Sequence, residues 1–171
     1  MHENHAREQY FFTDDTCAAL VGMLTPWPRV CLLCAPRLGE VMVAQGAQPA
    51  ILDIDTRFAG VPGFQQWDCN RPQHLGQSFD LIFCDPPFFN LSLSRLFTAI
   101  RLLADFDLTT PLVLAYLSRR ARAICGTFAP FGLQPVDWYP SYNTLVKHPR
   151  NHIQLFANVP LELPQVDADQ P

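Results

Sequence analysis

The chain has 171 residues, 49% of them apolar and 16% charged, which suits one globular domain with a sizeable core and excludes a disordered chain. Its net charge of −4 argues against a protein that coats nucleic acid nonspecifically. No apolar run reaches the ~18 residues needed to span a membrane, and the polar start Met1-His2-Glu3-Asn4-His5 lacks a signal core, so a soluble, cytoplasmic protein with no membrane partner is expected.

Residues 1–8 read as a flexible N-terminus, 9–159 as a single domain and 160–171 as a frayed acidic tail. Asp14 or Asp15 is expected to cap a short helix through Leu24, which Pro26 and Pro28 end. Val30 to Cys34 is a continuous apolar run, suited to a strand buried on both faces. A turn at Ala35-Pro36-Arg37-Leu38-Gly39 follows, then a helix from Glu40 to Gln45 closed by Gly46. Ala50 to Ile54, Phe64 to Trp67 and Phe79 to Cys84 read as three further strands. Leu93, Leu96, Phe97, Ile100 and Leu103 repeat at helical spacing within Leu91 to Leu103. Leu112 to Leu117 is a fifth strand, a short basic helix spans Ser118 to Cys125, and Leu133 to Trp138 and Ile153 to Ala157 close the series. Strands alternating with helices predict a right-handed βαβ array and a mostly parallel sheet.

Six cysteines are present, and Cys31 and Cys34 are spaced CxxC. No second CxxC or HxxxH sits at zinc-ribbon distance, and both lie in an apolar run, so buried thiols rather than a metal or redox site are expected. The charge is uneven. Arg119, Arg120, Arg122, Lys147 and Arg150 fall between Tyr116 and His152 with a single acid, Asp137. Arginine suits bidentate phosphate contacts, while an ordinary solvated face explains the stretch equally well.

In open parallel sheets, ligands bind beyond the carboxyl ends of the strands. Acids collect at those ends here: Asp53 and Asp55 after the second strand, Asp68 after the third and Asp85 after the fourth. A carboxylate there can accept from a ribose diol, and three consecutive acidic strand ends point to a nucleoside-containing cofactor. The sharpest feature is Asp85-Pro86-Pro87-Phe88. Two prolines remove two N–H donors and leave carbonyl acceptors beside an acceptor-only aspartate. Such a set holds an amino group whose lone pair is aimed at an electrophile, and Phe88 offers a flat surface for a base.

That motif resembles [DNS]PP[FYW] of amino-methylating Rossmann-like methyltransferases. Gln9-Tyr10-Phe11-Phe12-Thr13-Asp14-Asp15-Thr16 resembles the opening of the probable N6-adenine methyltransferase family. This family includes lysine methyltransferases of elongation factor 1A and is close to a zinc-finger ribosomal RNA adenine-N6 methyltransferase. Pro36-Arg37-Leu38-Gly39-Glu40 resembles the segment that there replaces a glycine-rich loop. Asp53-Ile54-Asp55-Thr56-Arg57-Phe58, Trp67-Asp68-Cys69-Asn70 and Tyr142-Asn143 with Lys147 are similar to later segments of the same branch.

The resemblance implies a Rossmann-like class I methyltransferase with a seven-stranded, mostly parallel sheet and helices on both faces. It implies S-adenosylmethionine held by Gln9, Tyr10, Phe11, Pro36, Arg37, Leu38, Gly39, Asp53, Asp55, Asp68 and Asp85, with Asp55 on the ribose and Asp53 a second candidate. The target amine would meet Asp85, Pro86, Pro87 and Phe88. Arg119, Arg120, Tyr142, Asn143 and Lys147 would contact substrate, and no metal is required. Adenine N6 in RNA or DNA is the first expectation, RNA favoured. A protein lysine is the alternative, and a catalytically silent binding module a third. The zinc-finger region of the ribosomal RNA enzyme is absent, which points to a partner protein for targeting.

Overall fold

In the computed structural model, residues 2–145, 148 and 152–164 are described. Seven strands form one sheet: β1 Val30–Leu33, β2 Ala50–Asp53, β3 Phe64–Gln66, β4 Leu81–Cys84, β5 Leu112–Leu117, β6 Gln134–Pro135 and β7 Ile153–Ala157. Their order is β3-β2-β1-β4-β5-β7-β6. Strands β1 to β5 run parallel, and β7 lies antiparallel to both β5 and β6. This is the seven-stranded, mostly parallel sheet expected from the sequence.

The strands that read as unbroken apolar runs are the central ones. Every residue of β1, β4 and β5 is buried, as a sheet covered on both faces requires. The edges are short and polar: β3 exposes Gln65 and Gln66, and β6 is two residues ending in Pro135. Edges of that kind resist pairing with another chain.

The chain leaves β1 toward β2 and β3, then returns to β4 and runs the other way to β5. Right-handed crossovers in opposite directions put α2 (Pro36–Ala44) and α3 (Leu93–Leu103) on opposite faces. Helix α1 (Asp14–Leu24) packs beside α2, and α4 (Ala121–Thr127) beside α3. The connections that leave the carboxyl ends of β1 and β4 go opposite ways at this switch, which opens a crevice between them.

The helix starts differ in detail from the sequence reading. Thr13, not Asp14 or Asp15, caps α1, its Oγ1 accepting from the Thr16 N–H at 3.3 Å. Asp14 and Asp15 instead occupy the first turn, where their charge favours the helix dipole. Helix α2 begins at Pro36 rather than Glu40, because proline at the first helical position lacks only an N–H that has no intrahelical partner. The expected Pro36–Gly39 turn is therefore the first turn of a helix. The basic segment after β5 likewise divides into a 3-10 turn, Ser118–Arg120, followed by α4.

Gly39 thus lies inside a helix, and its role is close approach. A Cβ there would stand 2.5 Å from Ile51 Cδ1 on β2. Gly39→Ala is expected to lose about 1–3 kcal/mol of stability by overpacking, read from urea unfolding. An unchanged midpoint would show that Ile51 moves aside freely.

Residues 160–164 carry no regular structure, though Leu161 and Leu163 pack on the core. The rest of the expected tail, 165–171, lies outside the described residues.

Candidate active site

The loops beyond β1, β2, β3 and β4 surround one cavity of about 380 Å³. That is the size of a small-molecule site. Pro36, Arg37 and Leu38 line it from the start of α2, Asp53 and Asp55 from the end of β2, and Asp68 from the end of β3. Asp85, Pro86, Pro87 and Phe88 line it from the end of β4. Gln9, Tyr10 and Phe11 come from the N-terminal segment, and Tyr142 from the loop before β7. Gly39 is the expected cofactor residue that does not line the cavity.

The acids differ in their bonding. Asp53 is 6% exposed, and its Oδ1 accepts from the Asp55 N–H at 2.7 Å. Asp55 is tied to Arg57: Nε stands 3.0 and 2.9 Å from its two oxygens, and Nη2 2.6 Å from Oδ2. Gln9 Nε2 donates to the same Oδ2 at 3.1 Å. The Arg57 guanidinium holds the Asp55 carboxyl down at about 2. Asp68 Oδ1 accepts from the Asn70 N–H at 2.8 Å. Buried carboxylate acceptors at the β2 end and the apolar faces of Phe11, Ile54 and Leu38 fit a nucleoside-bearing cofactor.

Residues 2–12, the first seven of them expected to be loose, are held in a network of contacts, and Ala6 and Glu8 to Phe12 line the cavity. Arg57 donates to Gln9 Oε1 at 2.7 Å and to the His2 carbonyl at 3.0 Å. Glu3 accepts from the Phe11 N–H at 2.8 Å. Asn143 pairs with the far end of the segment, its N–H donating to the Phe11 carbonyl and its Nδ2 to the Phe12 carbonyl. Asn143 therefore braces the wall and does not line the cavity.

Asp85 directly follows β4, its N–H donating to the Leu33 carbonyl of β1 at 3.1 Å. Tyr142 OH donates to Asp85 Oδ1 at 2.8 Å. Burial raises the Asp85 carboxyl to about 8, against the downward pull of that hydrogen bond. Burial, with the Asp85 charge beside it, pushes the Tyr142 phenol well above its ordinary value. The sequence placed Tyr142 with substrate; the structure also makes it the partner of Asp85.

Phe88 is 8% exposed and meets Tyr116 of β5 edge-on, with ring centroids 5.1 Å apart. Tyr116 OH donates to the Phe88 carbonyl at 3.2 Å. Arg120 donates to that hydroxyl at 3.4 Å, with its guanidinium 5.8 Å from the ring centroid. Sequence reasoning missed Tyr116, whose one signal is a lone hydroxyl in the apolar run of β5. It also missed Glu8, whose carboxylate accepts from the Phe89 and Asn90 N–H groups. Arg119 is exposed, and neither it nor Arg120 lines the cavity. Lys147 lies outside the described residues.

Cys31 is buried in β1, as its apolar run predicts, and burial raises its thiol. Cys34 sits just beyond β1 at φ +57°, with its Sγ 3.7 Å from that of Cys69. Among the described residues, no three His, Cys, Asp or Glu side chains are grouped to hold a metal ion. No helix among them is long and apolar enough to cross a membrane.

Solved structures share this architecture. A Pyrococcus horikoshii protein proposed to be an RNA methyltransferase aligns with a TM-score of 0.60 at 14% identity, over 91% of this chain and 89% of its own. Magnesium protoporphyrin IX methyltransferase from Synechocystis PCC 6803, solved with S-adenosylmethionine, aligns at 0.59 and 14% identity, over 84% of this chain and 77% of its own. The N-methyltransferase NodS from Bradyrhizobium japonicum, solved with S-adenosylhomocysteine, aligns at 0.56 and 14% identity, over 89% and 87%. At such identities the likeness is one of fold: the Rossmann-like class I methyltransferase sheet. No curated protein matches the chain. The sequence itself matches one family from residue 3 to residue 160, across the whole sheet and every wall of the cavity, so the chain belongs to the probable N6-adenine methyltransferase family.

Proposed function

We propose that the chain transfers the methyl group of S-adenosylmethionine to the N6 amino group of an adenine in a nucleic acid, with RNA favoured over DNA. The observation that carries the reading is Asp85-Pro86-Pro87-Phe88 at the β1/β4 switch, lining the same cavity as the strand-end acids. Family membership points the same way.

The cofactor is S-adenosylmethionine, which brings a methyl group already electrophilic enough to need no metal. Asp53, Asp55, Asp68 and the first turn of α2 are its protein partners in this reading. Asp55, oriented by Arg57 and Gln9, is the first candidate for the ribose hydroxyls, and Asp53 the second. Asp85 and the Pro86 carbonyl accept from the amine. Tyr142 occupies Oδ1 of Asp85, so Oδ2 is the oxygen left for the substrate. Phe88 contacts the base. Catalysis comes from aligning the nitrogen lone pair with the methyl group in a fixed polar site, not from a strong general base. Arg119, Arg120 and Lys147 are the candidates for phosphate contacts.

A tritiated methyl-transfer assay on total RNA, DNA and cell lysate tests this, with Asp85→Ala as control. Label in N6-methyladenosine that depends on Asp85 is the expected result. Label only in protein lysine would overturn the adenine reading. No label, together with no cofactor binding by calorimetry, would favour a silent binding module.

A further inference from the structure

The loop after Asp85 carries two adjacent phenylalanines that face opposite ways. Phe88 is buried against Tyr116, whereas Phe89 is 72% exposed. A single exposed apolar side chain is ordinary on a protein surface. Phe89 differs because a distant residue holds its backbone. Glu8 Oε2 accepts from the Phe89 N–H at 3.1 Å and from the Asn90 N–H at 2.9 Å. Glu8 itself sits at φ +55°, a conformation that non-glycine residues keep only where surroundings demand it. Two charge-assisted bonds to successive amides set the path of the loop. That path puts an aromatic ring into solvent between Phe88 and Asn90, both of which line the cavity. Arg95, exposed near the same rim, donates to Oδ1 of the cavity-lining Asn70 at 2.9 Å.

We propose that Phe89 is a base-stacking residue, taking the face of the unpaired nucleobase next to the one whose amino group enters the cavity. Glu8 is the positioning residue that holds it outward. The inference rests on the nucleic-acid reading above and narrows it to a substrate unpaired around the target: a single strand, a loop or a bulge. Phenylalanine has no hydrogen-bonding group, so it recognises a base face and not a base identity. A base paired in a duplex keeps both faces stacked and offers none. Arg95 supplies a cation on the same rim for the backbone phosphate.

The test measures binding to the full chain of a single-stranded RNA oligonucleotide containing adenosine, the same strand annealed to its complement, adenosine monophosphate and S-adenosylmethionine. Phe89→Ala is expected to weaken single-strand binding about tenfold or more, and Phe89→Trp to restore it. Both are expected to leave the mononucleotide and the cofactor unaffected. Glu8→Ala should reproduce the loss. Glu8→Gln, whose amide oxygen still accepts from both N–H groups, should recover it, and the Glu8→Ala/Phe89→Ala losses should not add. If the wild type binds or methylates the single strand and Phe89→Ala does so equally, the proposal falls while the nucleic-acid reading stands. A wild type that prefers the duplex also overturns the proposal. A wild type that binds no nucleic acid and methylates only protein lysine overturns both.

Discussion

Asp85→Ala is expected to lower the rate of methyl transfer by about 10²–10³, the cost of removing one preorganised hydrogen-bonding group from a water-poor site. Asp85→Asn is expected to behave differently. Its amide oxygen still accepts from the substrate amine, so transfer should stay within about tenfold of the wild type if Asp85 orients the lone pair rather than taking a proton. Single-turnover methyl transfer separates the two roles. An asparagine variant as inactive as the alanine variant would show that a proton moves to Asp85 during the reaction. An active alanine variant would remove Asp85 from the site altogether.

Stability should move in the opposite direction. Burial raises the folded-state pKa of Asp85 to about 8, above the ~3.9 of an unfolded chain. The carboxyl's favourable contribution is therefore fully present below about pH 4 and is lost as the pH rises toward 8. Asp85→Asn removes that dependence. Relative to it, the wild type should lose stability across this window, up to a limit of about 5 kcal/mol. Denaturant unfolding at pH 5 and pH 8.5 reads the difference directly.

The second large effect concerns the charge of the ligand. S-adenosylmethionine carries a sulfonium cation that S-adenosylhomocysteine lacks. An ionised Asp85 attracts that cation, and a protonated one does not. The ratio of the two affinities, methionine form over homocysteine form, should therefore rise as the pH passes from 6 to 9. A separation of several ångströms at an effective dielectric near 20 gives about 1–3 kcal/mol, or roughly five- to 150-fold. Calorimetry with both ligands at pH 6, 7.5 and 9 measures it, and the neutral ligand controls for any general effect of pH on the fold. A ratio that stays flat would mean that the Asp85 carboxyl does not face the methyl donor.

The elements that the sequence predicts well are those whose residues obey one rule throughout. β1, β4 and β5 read as strands because each is apolar at every position, and each is buried at every position. α3 was legible from its helical spacing, down to a start displaced by two residues to the Ser92 cap. The start of α2 was not, because Pro36 and Gly39 look like turn residues in isolation. Only the packing of Gly39 on Ile51, in the strand that follows the helix, explains a glycine inside that helix. The strand-end acids were legible as a set, since a parallel sheet brings every such end to one side. Their individual bonding was not, because the Arg57 contact with Asp55 depends on a 3-10 turn at Thr56–Phe58 that carries no strong local signal. The supports of the acceptor loop were hidden for a different reason. Glu8 and Tyr116 reach it from positions 81 and 28 residues away in the chain, a separation that no local pattern encodes.

Those two supports have a consequence for how such a site can diversify. Glu8 grips the loop by its N–H groups and Tyr116 by the Phe88 carbonyl, so these hydrogen bonds are made to backbone, while the Phe88 ring also packs on Tyr116. The exposed side chain at 89 is free of that duty. It can be exchanged over generations without displacing the acceptor groups of Asp85 and Pro86. In this architecture, the identity of the molecule being modified can drift while the geometry of the chemistry is inherited intact.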